Sequence, residues 1–302
     1  MFSSIEETIK QLEKQKYITS REIATTVYLA LKLEKPVLVE GPAGVGKTEL
    51  AKCIASALDI ELIRMQCYEG LDEAKALYEW EYAKQLLYTQ ILKDKLSEIT
   101  GQEKTLSGAI DRLTETEDVF FSEKFLIPRP ILKAVTKPEK TVLLIDEIDK
   151  SDSEFEAFLL EVLSDFQVTI PEIGTFAAIK KPVVILTSNS AREMSDALKR
   201  RCLHLYIDYP TLDLEKKIIS LKVPESGEKL SAQVVETVQK IRKLNLKKEP
   251  SISETLDWAK ALVLLGYEDL NEKTAMETLN FILKYQKDIE LAMQHSKELF
   301  IN

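Results

Sequence analysis

A chain of 302 residues, 45% hydrophobic and 30% charged, has the makeup of a globular protein with room for a sizeable core and about two domains. Its net charge of −9, with Lys and Arg mixed among Asp and Glu, excludes the basic field on which nucleic-acid affinity depends and favours a protein partner. Cys53, Cys67 and Cys202 lie far apart, the only histidines are His204 and His295, and no CxxC occurs, so neither a disulfide frame nor a zinc site is expected.

The opening MFSSIEETIK lacks the basic and apolar regions of a secretion signal. No run approaches the ~18 apolar residues of a bilayer span. A cytoplasmic protein without membrane insertion is expected. Ile5, Ile9 and Leu12 repeat at helical spacing, and Thr19-x-x-Glu22 reads as a capping box before Ile23, Val27 and Leu31. "PVLVE" (36–40) is short, β-branched and apolar on both faces, which suits a buried parallel strand. Leu50, Ile54 and Leu58 then give one apolar helix face. The alternation continues with "ELIRMQ" (61–66), a helical region to about 94, "TVLLID" (141–146), a helix from Glu154, "PVVILT" (182–187), a helix to Arg200, and "LHLYID" (203–208). Strands alternating with helices predict a three-layer α/β domain with a mainly parallel sheet.

Two segments break that rhythm. Residues 95–118 are polar and charge-rich and read as a surface insertion; residues 165–181 read as a hairpin turning at Pro171 and Gly174. After Pro210 the strands stop, and Ser251-x-x-Glu254 opens one of several helical patterns. The chain therefore divides into an α/β domain at 1–210 and a small all-helical domain at 211–302.

"GPAGVGKT" (41–48) fits G-x-x-x-x-G-K-[ST] between a predicted strand and a predicted helix. In that pattern Gly41, Gly44 and Gly46 let the backbone curl around phosphates, with Pro42, Ala43 and Val45 completing the loop and Glu49 following it. Lys47 can neutralise phosphate oxygens, and the Thr48 hydroxyl can bind Mg2+. "VLLIDEIDK" (142–150) delivers Asp146 and Glu147 at the C-terminal end of an apolar strand, where open α/β sheets bind ligands. Asp146 is placed to hold Mg2+, and Glu147 to activate an attacking water. "VVILTSN" (183–189) ends in Asn189, whose amide can bond a terminal phosphate or that water, or simply cap the next turn. The adjacent Arg200 and Arg201 in "ALKRRCLHLYIDYP" (197–210) read, taken alone, as solvated surface. Phe155, Phe158, Leu159, Val162 and Leu163 form a core helix face. Tyr68, Tyr78, Trp80, Tyr82 and Tyr88 serve either packing or a partner surface, and His204 reads as a satisfied strand histidine.

Taken in this order, the glycine loop, the DE-tipped strand, the Asn-tipped strand and the "RRC" element resemble an AAA+ ATPase module over nearly the whole chain. The stretches "ITSREIATTVYLALKLEKPVLVEGPAGVGKTELAK", "CYEGLDEAKALYEWEYAKQLL" and "PSISETLDWAKAL" are similar to MoxR-like ATPases, most of all the carbon monoxide dehydrogenase accessory type. That resemblance implies a P-loop NTPase sandwich with a helical lid, ATP and Mg2+ as ligands, and assembly into a ring, usually a hexamer. It also implies chaperone-like remodelling of a protein client, often with a partner bearing a von Willebrand factor A domain. In such rings Arg201, with Arg200 as runner-up, would enter the neighbour's site. The hairpin at 165–181 resembles the pre-sensor-1 hairpin. One departure stands out: Glu254 and Thr255 occupy the place of the sensor-2 arginine, which Arg242 or a nearby lysine would have to replace. A P-loop phosphotransferase and a DNA-associated motor or clamp-loader subunit are the alternatives; Glu147 argues against the first and acidic composition against the second.

Overall fold

The apolar runs become strands that share one sheet, in a computed structural model that describes residues 2–88, 90, 123–171 and 173–300. In chain order the strands are β1 (Val37–Glu40), β2 (Leu62–Gln66), β3 (Tyr78–Trp80), β4 (Leu126–Pro128), β5 (Val142–Asp146), β6 (Gln167–Ile170), β7 (Gly174–Ala177), β8 (Val183–Ser188) and β9 (Leu203–Tyr206). The main sheet runs β2-β5-β8-β1-β9 with every neighbouring pair parallel. All five C-terminal ends therefore meet along one edge.

Alternation along the strands decides which face each side chain serves. Val37, Val39, Val142, Leu144, Val183 and Ile185 pack with Leu12, Val27, Leu31, Leu50 and Ile54, from helices Ile5–Lys14, Arg21–Leu33 and Lys47–Leu58. The residues between them, Leu38, Leu143, Ile145, Val184 and Leu186, pack with Ile131, Leu132, Phe155 and Leu159 of helices Pro130–Thr136 and Ser153–Asp165. Strands apolar on both faces thus demand helices on both faces, and the three-layer α/β architecture results. Each fully buried aliphatic side chain contributes roughly 1.5–3 kcal/mol to that arrangement. Cys53, Cys67 and Cys202 are free thiols, and burial pushes the first up to about 11 and the other two up to about 12.

From Leu212 onward the described residues are helical: Leu212–Lys222, Gly227–Arg242, Ile252–Leu264, Glu272–Thr278, Gln286–Gln294 and Ser296–Phe300, with short 3-10 turns between. They close around their own apolar cluster, centred on the fully buried Trp258, whose indole N–H donates to the Thr278 hydroxyl at 2.8 Å. The Ser251 and Glu254 capping box forms as the spacing predicts. No helix of the described residues is long and apolar enough to cross a membrane.

Several sequence expectations need correction. The N-cap of helix Arg21–Leu33 is Ser20, not Thr19, because the Ser20 hydroxyl accepts from the Ile23 N–H at 3.2 Å while Thr19 turns to the Ser20 carbonyl. The helical region expected up to residue 94 is interrupted. A short helix, Glu73–Leu77, gives way to β3, which pairs antiparallel with β4, and residues 91–94 lie outside the described residues. Tyr78 and Trp80 meet edge to face there, and Tyr88 does the same with Phe125. Tyr68 and Tyr82 remain exposed. Helix Pro130–Thr136 was not expected, although Pro130 at its first turn is a start signal. The hairpin forms as β6 and β7, paired antiparallel from Gln167 with Ala177 to Ile170 with Gly174. His204 lies on the exposed side of edge strand β9, with Nε2 2.7 Å from Glu40 Oε2. The expected insertion at 95–118 lies outside the described residues.

Candidate functional site

Strand β1 runs into the loop Gly41–Gly46, whose glycines take φ values of 148° (Gly41), 73° (Gly44) and 101° (Gly46). Two of them are forced. A Cβ on Gly41 would lie 1.9 Å from the Ile207 carbonyl oxygen, and one on Gly44 would lie 2.5 Å from the Ser251 side chain. The loop ends at the N-terminus of helix Lys47–Leu58, where Gly46 is the N-cap and no side chain caps the first turn. Most helices here carry a Ser, Thr, Asp or Asn cap; this one leaves its first N–H groups and the positive end of its dipole for something else.

Lys47 is buried and spends all three of its donors locally. Its ammonium donates to the carbonyls of Gly41 (2.7 Å) and Pro42 (2.6 Å) and to Asn189 Oδ1 (2.9 Å). Burial pulls its pKa below the usual lysine value, while Asp149, Asp146 and Glu147 push it back up. Thr48 donates its hydroxyl to Asp146 Oδ1 at 2.9 Å, and Thr187 donates to the same oxygen at 2.5 Å. The second oxygen, Oδ2, takes two guanidinium N–H groups of Arg64, at 3.0 and 2.6 Å.

Glu147 sits in the left-handed region, φ 57° and ψ 51°, with its N–H donated to Thr187 Oγ1 at 2.9 Å. For a residue with a side chain that conformation costs on the order of 1 kcal/mol or more, and such strain clusters at functional sites. Its carboxylate is held from three directions. Gln66 Nε2 donates to Oε2 at 2.7 Å, Lys150 pairs with the same oxygen, and Asn189 Nδ2 donates to Oε1 at 3.3 Å. Asn189 thereby bridges Lys47 and Glu147, while its own N–H is fixed by Asp149 Oδ2 at 3.1 Å. Asp149 Oδ1 is buried without a hydrogen-bond partner among the described residues. The five predicted positions Lys47, Thr48, Asp146, Glu147 and Asn189 thus converge at one end of the sheet.

Beside the loop a cavity of about 350 Å³ opens between the two parts of the chain. Tyr17, Ile18, Val45, Ile207 and Leu256 give it apolar walls, and Gly44, Gly46 and Glu49 border it. Glu49 is engaged: Lys222 donates to its Oε1 at 2.9 Å, which with burial opposing holds the carboxyl below its ordinary range. Of the remaining loop residues, Val45 is buried in the core and Ala43 is exposed. The sequence reading missed Arg64, Gln66, Thr187, Asp149 and the Tyr17–Ile18 wall. Strand parity was the available signal for the first three: Arg64, Gln66 and Thr187 lie in step with the residues that face helix Lys47–Leu58.

The arginine pair lies elsewhere. Helix Asp196–Arg201 precedes β9, whose Leu203 pairs with Val37 at the start of β1. Gly41 is at the other end of β1, so at roughly 3.3 Å per residue the pair sits on the far edge of the sheet from its own loop. Arg201 is tied down, donating to Ser164 Oγ at 2.5 Å and to the Ala197 carbonyl at 3.0 Å. Arg200 is exposed and has no hydrogen-bond or ion-pair partner among the described residues. Arg242, the candidate replacement for sensor 2, is committed inside the helical part. It forms a two-pronged pair with Glu215 at 2.6 and 2.7 Å, donates to the Pro250 carbonyl at 2.7 Å and stacks over Tyr209.

Comparison with known proteins adds the family context. Residues 36–202 match the family model described as an AAA domain of the dynein-related subfamily. That span contains the loop, both polar strand ends and the arginine pair. Uncharacterized proteins of Staphylococcus aureus (strain USA300) and Staphylococcus haemolyticus are each 27% identical, over 238 and 266 residues. The alignments cover 76% of this chain and 76% of the first protein, and 84% of this chain and 85% of the second. A Lon protease of Cytophaga hutchinsonii is 30% identical over 68% of this chain, which corresponds to 22% of its own length. Among solved structures, a mutant of Thermotoga maritima RuvB aligns with a TM-score of 0.49 at 19% identity, covering 92% of this chain and 72% of that one.

Proposed function

The chain belongs to the AAA domain family, dynein-related subfamily, and from that premise we propose that it is an Mg2+-dependent, ring-forming ATPase of the MoxR-like kind that remodels or matures a protein client. Membership of the AAA+ ATPases supports ATP binding and hydrolysis. The observation that carries the proposal is the convergence of an uncapped helix N-terminus, Lys47, Thr48 with Asp146, and Glu147 with Asn189 on one sheet edge.

The residues fit the proposed ligands. The glycine loop is a cradle that side chains would fill, and the adjoining apolar cavity suits a base with the phosphates laid along the loop. Thr48 Oγ1 and the Asp146 carboxylate are hard oxygen donors 2.9 Å apart, the chemistry Mg2+ prefers. When bound, Mg2+ supplies neutralisation of phosphate charge and orientation of the terminal phosphoryl group. Lys47 exchanges its two loop carbonyls for phosphate oxygens. Asn189 orients both Lys47 and Glu147, and the Glu147 carboxylate takes the proton of the attacking water. In this reading residues 1–210 bind nucleotide and residues 211–302 act as a lid. Arg201 or Arg200 of one subunit serves the loop of the next.

The MoxR-like assignment draws support from the three stretches quoted above and from the order of the motifs; the hexamer, the client and a von Willebrand factor A partner follow from that resemblance. The phosphotransferase alternative is disfavoured by Glu147, a candidate base that directly follows the proposed metal-holding Asp146. The test is Glu147→Gln. It should retain ATP binding while steady-state phosphate release falls on the order of a hundredfold or more, the usual weight of a general base. Undiminished turnover would remove Glu147 from that role.

A further inference from the structure

Arg64 was not singled out by any motif, yet its guanidinium is linked to both carboxylates of the site. Two of its N–H groups bind Asp146 Oδ2, at 3.0 and 2.6 Å, on the side of the carboxylate away from Thr48 and Thr187, which occupy Oδ1. Its Nη2 also donates to Gln66 Oε1 at 2.6 Å, which turns the Gln66 amide so that Nε2 meets Glu147 Oε2 at 2.7 Å. The Asp146 side chain is 3% exposed, whereas that of Arg64 is 49% exposed. A half-exposed arginine contributes little to the core. It does change what a buried carboxylate presents to its surroundings, because its charge is permanent and its fork matches the carboxylate.

We propose that Arg64 is a positioning residue that sets how strongly nucleotide and divalent metal depend on each other, by neutralising Asp146 from the side opposite Thr48. The inference rests on the nucleotide reading above. The sign follows from charge. With Arg64 in place, Asp146 attracts a divalent cation less and repels an uncomplexed polyphosphate less. Without it, the bare carboxylate favours the metal and disfavours metal-free nucleotide. Both changes enlarge the gain in nucleotide affinity that Mg2+ brings, and by linkage the gain in metal affinity that nucleotide brings.

The quantity to measure is the ratio of dissociation constants for a fluorescent ADP analogue, in EDTA over in Mg2+, with the full chain. Arg64→Met, which keeps the length of the stem and removes the charge, should raise that ratio on the order of tenfold relative to the unmodified chain. Arg64→Lys should stay within about threefold of it. Gln66→Leu cuts the relay to Glu147 but leaves Arg64 on Asp146, and should also stay within about threefold. Should the Met variant lose its helical circular dichroism, Arg64→Gln replaces it with the same expectation. A ratio unchanged or lowered in the uncharged variant, or raised equally by Gln66→Leu, overturns the inference while leaving the ATPase reading intact. Failure of the unmodified chain to bind the analogue in either condition overturns the ATPase reading itself, and this inference with it.

Discussion

Arg242 and Glu215 illustrate how far a residue's role depends on its surroundings. Both are buried, with side-chain exposures of 7% and 0%, and the carboxylate also accepts from Gln239 and Thr255. Such a pair adds little over a well-packed apolar substitute, but removing one partner strands a charge. Glu215→Ala should therefore lower unfolding stability by about 3–5 kcal/mol in urea denaturation; a loss below about 1 kcal/mol would show that Arg242 finds solvent easily. At this scale the sequence revealed the residues that motif spacing dictates: Gly41, Gly44, Gly46, Lys47, Thr48, Asp146, Glu147 and Asn189 all lie where strand ends meet. Arg64, Gln66 and Thr187 stayed hidden because their importance depends on which strand neighbours which. Parity along each strand tells which face they take but not which strand lies beside it; the β2-β5-β8 adjacency supplies that.

Among the elements, helix Ile252–Leu264 joins the helical part to the loop. Its N-cap Ser251 accepts from the Glu254 N–H, Glu254 returns the bond to the Ser251 N–H at 2.8 Å, and the Ser251 side chain fills the space beside Gly44. Ser251→Ala should cost about 1 kcal/mol, lowering Tm by about 2–4 °C in calorimetry; an unchanged Tm would mean that packing alone holds the helix start. A second tie is Lys222 on Glu49, which joins helix Leu212–Lys222 to the first turn of the loop helix. The S-x-x-E signature was legible for Ser251 because its four residues carry the whole mechanism. At residues 19–22 the same spacing pointed to Thr19, but the helix is capped one residue later, by Ser20. Strands β3 and β4 were illegible for a different reason. Each has three residues, too few to show a period, and their pairing joins segments far apart in sequence.

For the whole molecule, the decisive fact is that parallel strands have two ends. The glycine loop sits at the C-terminal edge of the sheet, and the Arg200–Arg201 pair sits before β9 at the other. The pair cannot serve its own loop, so a role in hydrolysis requires a second subunit. Arg200 is exposed and unpaired among the described residues, while Arg201 is bound to Ser164 and Ala197, so both belong in the test. The most direct measurement is phosphate release when an Arg200→Ala, Arg201→Ala double variant is mixed with Lys47→Ala. Each alone should lose activity, the arginine variant on the order of a thousandfold. Mixed, they should recover part of it, because an intact loop from one then meets an intact arginine pair from the other. An absence of recovery at every mixing ratio would contradict a site completed between subunits.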